Sequence, residues 1–344
     1  MQKFFDDMEL PEYQNFKEKG AFFQLNIINT EKKFDEFYAK VTSEPSLLRG
    51  ISNAKYKIFN SLQRFWFKDD LRNKFAYESF VKAYLAEHSS TILPAYFRGL
   101  NITPSFLSLF SFLQHYGAPS ALIDFTPSID VALYFATECI TDTGPSDRIE
   151  DYFSIFQITE SDFELLSDNT AISSVGKMVD FWADYKDDDG NNPFFGQHLD
   201  RMIEMHTEKV FLVPNDEKNR SVYNLLSSLN IIAQNGLFIY NGYEEKPLEE
   251  ALHNFFERAA KFQSSIHDDL DTPESQEINR EYFEETLPRN REYLKRLKGN
   301  IIQSYEISKS LGPYIKGKLT LSEDVIYPDP KQIGWKMFDV VKNR

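Results

Sequence analysis

The chain has 344 residues, a formal net charge of −15 and 42% hydrophobic residues, a composition typical of a globular protein with a full core. The negative charge disfavours non-specific binding to nucleic acid or to an anionic membrane, since both require clustered positive charge. The single cysteine, Cys139, excludes an intramolecular disulfide and fits a reducing cytoplasm. No apolar run reaches the length of a membrane span, and the N-terminus lacks a signal-peptide layout. These features predict a cytoplasmic protein that does not contact a membrane.

Hydrophobic periodicity predicts an α+β fold, with short strands in small, mostly antiparallel split sheets flanked by helices. We expect residues 1–30 to form an N-terminal arm and residues 31–344 to form the main domain, with a helical insertion over about 245–299. The predicted strands lie at 21–29, 47–50, 56–62, 121–125, 153–158, 210–214, 231–240 and 301–307. The predicted helices lie at 34–41, at 75–88, from Thr103 and Pro104 to 113, from Thr126 and Pro127 to 136, at 161–168 and at 248–262.

The stretch Leu113–Ala136 combines the largest number of local signals. Gly117 fits the left-handed position after a helix end, and a short buried strand follows, with Asp124 as its one charged residue. Thr126 and Pro127 are typical of a helix start. A strand end that leads into a helix N-terminus is a common place for a binding site.

Two groups of polar residues interrupt this apolar stretch. Gln114, His115 and Tyr116 lie at the predicted helix end, and Asp124 and Thr126 lie at the predicted strand end. Polar groups flanked by core residues must be hydrogen-bonded or serve a function. Both groups are therefore candidates for a site.

The letters QHYGAPSALIDFT at 114–126, followed by ALYFA, resemble the hallmark of the FRG-domain family, which is named for a Phe/Tyr-Arg-Gly motif. That motif has two candidates here. Residues 96–99 spell it as YFRG, whereas Arg49-Gly50 is followed by the longer family pattern, with Ser-Leu-x-Arg at 61–64. We take Arg49 as the family arginine and the match at 96–99 as a coincidence, although Leu48 stands where the family has an aromatic residue.

Two later segments extend the resemblance. Gln234 lies in a stretch similar to the family's late Gln-x-Gly-x-Phe strand, with Asn230 where arginine is usual. Residues 326–329, IYPD, resemble the family's C-terminal Phe-Pro-Asp ending. The resemblance therefore covers roughly residue 34 to the end, and it makes residues 31–344 an FRG domain.

Several chemistries lack their sequence signature. There is no metal-ligand constellation, no Gly-rich phosphate loop, no Gly-x-Ser-x-Gly elbow and no dinucleotide fingerprint. The segment KDDDGNN at 186–192 does not fit a calcium loop, because the twelfth position is Gly196 rather than glutamate. The polar residues that are left resemble, by analogy, the layout of an ADP-ribosyltransferase site with NAD as substrate.

This resemblance implies a role for each residue. Arg49 would bind the NAD phosphates through its bidentate fork, with Ser61 or Arg64 in support, and Tyr116 would stack on the nicotinamide. Asp124 or Gln234 would stabilise the positive charge that develops on the ribose. The implied catalytic residues are Arg49, Asp124 and Gln234, and the implied NAD-binding residues are Arg49, Ser61, Arg64, His115, Tyr116 and Thr126.

Each residue also has a structural alternative. Arg49 and Asp124 can form a buried bridge, and Asp124 can cap the following helix. His115 can cap or pack at a helix end, and Tyr116 can belong to the core. Ser61 and Arg64 can be structural in the same way, and Gln234 before a Gly turn is a weak signal for a site.

Two functional classes stay open. The first is a bacterial toxin or phage-defence effector that transfers ADP-ribose to a protein or nucleic acid target, or hydrolyses NAD, with an antitoxin or regulator as a further partner. The second is a non-catalytic nucleotide- or protein-binding module. The late strand discriminates between them, because an NAD transferase usually has glutamate where this chain has Gln234.

Overall fold

The structure is a computed structural model, and it describes residues 10–100, 105–140, 144, 146–159, 209–213, 229–254 and 302–342. Within these ranges the strands are β1 Gln24–Ile28, β2 Ser46–Ile51, β3 Leu122–Phe125, β4 Tyr152–Thr159, β5 Val210–Val213, β6 Leu237–Asn241 and β7 Gln303–Ser308. The helices are α1 Phe16–Lys19, α2 Glu31–Ser43, α3 Ser61–Lys68, α4 Tyr77–Ala86, α5 Leu93–Gly99, α6 Phe106–His115, α7 Ile129–Thr137, α8 Leu229–Ala233, α9 Gly312–Lys318, α10 Glu323–Ile326 and α11 Pro330–Lys342. Residues 248–254 are also helical.

The described strands form two sheets. The four-stranded sheet has the order β1-β7-β4-β2, in which only the β1–β7 pair is parallel. The three-stranded sheet has the order β3-β6-β5 and is antiparallel. These sheets, together with the helices, confirm the predicted α+β class.

The two sheets face each other across a shared apolar core. Leu47 and Ile51 of β2 pack in this core together with Ile123 and Phe125 of β3. Helices α2, α7 and α9 cover the outer face of the four-stranded sheet, and α3, α4 and α6 cover the outer face of the three-stranded sheet. The described residues therefore form four layers, with helices outside and sheets inside. No helix among them has both the length and the apolar character needed to cross a bilayer.

Residues 10–30 are not a separate arm in this structure. Strand β1 pairs in parallel with β7, so the N-terminal segment belongs to the four-stranded sheet. Lys19 and Tyr13 are both fully buried, and Lys19 forms an ion pair with Glu306 of β7 at 2.8 Å. The sequence obscured this because polar residues are scattered through the segment.

Two predicted boundaries are wrong because side-chain caps lie elsewhere. The strand predicted at 56–62 does not form: Tyr56 makes an isolated bridge with Glu12, and Asn60 caps α3 in a reciprocal capping box with Gln63. Helix α6 begins after Ser105, whose side chain caps it, rather than after Thr103, which lies outside the described residues.

The predicted start of α7 is also wrong. Ser128 caps the helix and Ile129 begins it, whereas Thr126 and Pro127 precede it. Thr126 instead pairs with Leu48 through two backbone hydrogen bonds of 2.8 and 2.9 Å. This bridge joins the end of β3 to β2, and thus one sheet to the other.

The strand predicted at 231–240 is correct only in its second half. Its first part is in helix α8, and the chain turns at Asn235, which has a φ of 47°, before β6 begins. The helix predicted at 161–168 lies outside the described residues, as does the predicted insertion beyond residue 254.

Candidate functional site

The Arg-Gly pair of β2 directs its two residues to opposite faces of the strand. A Cβ atom on Gly50 would lie 1.9 Å from the backbone oxygen of Ala132, so glycine is what allows α7 to pack this closely on β2. Arg49 lies on the same face as Leu47 and Ile51, which pack between the sheets. Gly50 therefore allows β2 to pack tightly on α7, and the Arg49 side chain extends into the interior between the sheets.

Arg49 meets Asp124, which is the contact that the structural alternative of a bridge requires. Its Nη1 donates to the backbone oxygen of Asp124 at 2.8 Å and lies 3.7 Å from the carboxylate Oδ2. The side chains are 17% and 38% exposed, respectively. The Nε of Arg49 is buried and has no hydrogen-bond partner. Since a buried donor without a partner is costly, this atom marks a place where a ligand could bind.

Gln114 holds the Asp124 carboxylate from the other side. Its Nε2 donates to Oδ2 at 2.6 Å, and its Oε1 accepts from the Ser61 hydroxyl at 3.3 Å. The backbone N–H of Ser120 donates to the same hydroxyl at 2.9 Å. Ser61 therefore positions Gln114 and β3. The sequence analysis places Gln114 in a candidate polar group but gives it no role, although an amide on the last turn of an apolar helix was the available signal.

Arg64 lies within electrostatic reach of this pair. The pKa of Arg64 is lowered to about 10, first by burial and then by the like charge of Arg49, while Tyr56 and Asp124 act in the opposite sense. Burial also lowers the pKa of Arg49, opposed by Asp124. Asp124 is therefore close enough to influence both guanidinium groups.

The C-terminal motif is brought to the same region through Gln234. The Thr126 hydroxyl donates to the backbone oxygen of Gln234 at 2.8 Å, and the Gln234 Nε2 donates to the backbone oxygen of Ile326 at 3.2 Å. Burial raises the pKa of Tyr327, and the charges of Glu138, Tyr134 and then Asp124 contribute in the same direction, in decreasing order. The side-chain amide of Gln234 is therefore used in a contact that holds the C-terminal segment.

His115 and Tyr116 lie in different surroundings although they are adjacent in sequence. The His115 ring lies 5.7 Å from that of Phe238, and its buried Nε2 has no hydrogen-bond partner. Burial lowers the pKa of His115, opposed by the charge of Asp124, so its ring is neutral near pH 7. Tyr116 is 58% exposed, stacks on Phe112 at 4.5 Å and hydrogen-bonds with Tyr96. The structure thus groups Tyr116 with α5 and α6.

The second Arg-Gly pair has a different environment. Arg98 is exposed on α5, and a Cβ atom on Gly99 would meet nothing within 4 Å. Gly99 thus allows no close packing, and the Arg98 side chain stays at the surface. Both residues differ in this from Arg49 and Gly50.

Comparison with known proteins identifies one family. Residues 44–144 match the family model described as the FRG domain, whereas no curated protein and no solved structure matches the chain. The matched segment contains Arg49, Arg64 and Asp124, while Gln234 and Tyr327 follow it. Residues 44–144 of this chain are therefore an FRG domain.

Proposed function

We propose that the cluster around Arg49 binds the pyrophosphate of NAD, and that the protein transfers ADP-ribose to a protein or nucleic acid target or hydrolyses NAD. One observation carries the proposal: Arg49 and Arg64 are close enough for their like charges to repel each other, and the buried Nε of Arg49 has no partner. Two neighbouring guanidinium groups are a favourable place for a phosphate group, which both could bind.

Asp124 would contribute to the chemical step. Its carboxylate is oriented by Gln114 and Arg49 and is still 38% exposed, so it can face a substrate. A fixed negative charge there would stabilise the positive charge that develops on the ribose as nicotinamide leaves. In this scheme Ser61 and Thr126 position other groups, and Gln234 holds the C-terminal segment.

The alternative is a non-catalytic nucleotide- or protein-binding module. It is favoured by the engagement of Asp124, which already interacts with both Arg49 and Gln114 as in a structural bridge. It is also favoured by the use of the Gln234 amide in a contact with the backbone of Ile326. A module of this kind would bind nucleotide without releasing nicotinamide.

The role of toxin or phage-defence effector follows from the family resemblance. We expect expression of the wild-type protein in bacterial cells to arrest growth, and Arg49→Ala to relieve the arrest. An antitoxin or regulator would then be a partner that suppresses the arrest. Growth that is unaffected by the wild-type protein under all expression levels would contradict this role.

The direct test is nicotinamide release, together with NAD binding, by purified protein. Arg49→Ala removes a charge-assisted contact to phosphate and should weaken NAD binding by roughly 10- to 100-fold. Arg49→Lys keeps the charge but loses the planar guanidinium group that can donate two hydrogen bonds to one phosphate. It should therefore bind NAD better than Arg49→Ala but less tightly than wild type. Asp124→Asn should reduce nicotinamide release more than it reduces binding.

Arg98→Ala is the matched control, because Arg98 belongs to the other Arg-Gly pair and is exposed. It should behave as wild type in both assays. Binding of NAD without release, abolished by Arg49→Ala, would favour the non-catalytic module. Absence of both binding and release in the wild-type protein would reject the proposed function.

A further inference from the structure

Tyr116, which the sequence suggests as the aromatic residue of the site, has aromatic neighbours of its own. Its ring packs on Phe112 and its hydroxyl pairs with Tyr96. A second aromatic residue is connected with Asp124 through hydrogen bonds.

Tyr327 is held in place beside this site. The preceding residue, Ile326, is fully buried, and its backbone oxygen accepts the hydrogen bond from Gln234. The Tyr327 ring packs edge-on against Phe135 of α7, with 6.2 Å between centroids. The residue is still 38% exposed, so part of it is fixed by the protein and part is open.

A short series of contacts connects Tyr327 with Asp124. Thr126 follows Asp124 by two residues, and its hydroxyl donates to the backbone oxygen of Gln234, whose side chain binds Ile326. Tyr327 is also within electrostatic reach of Asp124, since the charge of this carboxylate contributes to raising the pKa of the phenol.

We propose that Tyr327 is the aromatic residue that contacts the nicotinamide ring of NAD. The inference rests on the proposed function, in which Arg49 and Arg64 bind the pyrophosphate and Asp124 faces the ribose. A ligand laid out in this order would continue past Asp124 toward Tyr327. The oxidised nicotinamide ring carries a positive charge, which a tyrosine ring attracts through its π face.

The test compares two ligands that differ by the nicotinamide. One is carba-NAD⁺, which binds like NAD⁺ but cannot lose its nicotinamide, and the other is ADP-ribose. Tyr327→Leu, which keeps apolar packing on Phe135, should weaken carba-NAD⁺ binding roughly tenfold. It should change ADP-ribose binding by less than about twofold. Tyr327→Phe should stay within about threefold of wild type for both ligands, since the ring is retained.

Tyr116→Leu is the matched control, and it should leave both affinities as in wild type. Equal losses for carba-NAD⁺ and ADP-ribose in Tyr327→Leu would overturn the inference, because they would indicate a general effect on the site. No loss in Tyr327→Leu together with a selective loss in Tyr116→Leu would overturn it in favour of the original aromatic residue. If the wild-type protein binds neither ligand, the proposed function fails and the inference fails with it.

Discussion

Two charge clusters among the described residues differ in how completely they are satisfied. Lys19 is fully buried and pairs with Glu306 at 2.8 Å, and it also donates to the backbone oxygen of Ala54 at 2.9 Å and to Ser154 at 2.8 Å. The Glu306 carboxylate accepts from Ser154 at 2.8 Å and from Ser304 at 2.5 Å. Both side chains of the Lys19–Glu306 pair are sealed from water.

The cluster around Arg49 differs in two respects. The Nε of Arg49 has no partner, and the Asp124 side chain is partly exposed. A charge pair that is sealed from water joins parts of a fold, whereas a partly open pair with an unused donor is suited to a ligand. The following predictions test this distinction, in order of decreasing effect.

The largest effect is expected for Lys19→Met. This change leaves Glu306 buried without a counter-charge, and the free energy of unfolding should fall by about 3–5 kcal/mol. Urea unfolding measures the loss. Lys32→Met is the control, because Lys32 and its partner Glu36 are 88% and 66% exposed and 4.0 Å apart, and it should change stability by less than about 0.5 kcal/mol.

The paired change Lys19→Met with Glu306→Leu should recover much of that loss, since neither charge then remains buried. Recovery would show that the single variant suffers from an unpaired carboxylate. If Lys19→Met alone costs less than about 1 kcal/mol, the cluster is not the sealed bridge described here.

Gly50→Ala should disturb the Arg49 cluster by displacing the backbone of β2 next to it. The new Cβ would collide with the backbone oxygen of Ala132, which cannot swing aside, so we expect a loss of about 1–3 kcal/mol and weaker NAD binding. Gly99→Ala has open space and lies on a helix, and it should be neutral or stabilising by up to about 1 kcal/mol. Equal thermal shifts for the two variants would contradict the close approach of α7 to β2.

Arg49→Met is the counterpart of Lys19→Met and should have a much smaller effect on stability. The change removes the repulsion between Arg49 and Arg64, and the Asp124 carboxylate keeps its hydrogen bond from Gln114 and its partial contact with water. We therefore expect the free energy of unfolding to change by no more than about 1 kcal/mol in the absence of ligand. Urea unfolding of the two methionine variants under the same conditions makes the comparison. A loss as large as that of Lys19→Met would make the Arg49–Asp124 pair a structural bridge.

The smallest effect concerns pH and His115. Burial lowers the folded-state pKa of His115 below its ordinary value of 6.5. Below that value the unfolded chain binds a proton that the folded protein does not, so stability is present above pH 6.5 and falls as the pH decreases. His115→Gln should reduce this dependence, measured as unfolding free energy between about pH 7 and about pH 5. An unchanged pH slope would show that His115 is protonated in the folded protein.

The sequence by itself determined the features that depend on neighbouring residues. The strand predicted at 153–158 forms β4, the apolar spacing at 34–41 predicted α2, and Gly117 occupies the left-handed position expected after α6, with a φ of 77°. A strand that ends in one carboxylate predicted a site at Asp124. Local boundaries were missed where a second polar residue competed, as when Asn60 rather than the apparent strand pattern decided the start of α3.

Only the tertiary structure decided which distant residues meet. Arg49 and Asp124 are 75 positions apart, and the bond from Gln234 to Ile326 spans 92. Neither contact is visible in local periodicity, because the bridge between β2 and the end of β3 creates the first and the packing of the C-terminal segment against α8 creates the second. The same holds for Tyr327, whose segment is connected with the end of β3 through Gln234 and Thr126. Periodicity reports the surroundings of a residue along the chain, whereas a site is built from side chains whose proximity depends on how whole layers pack.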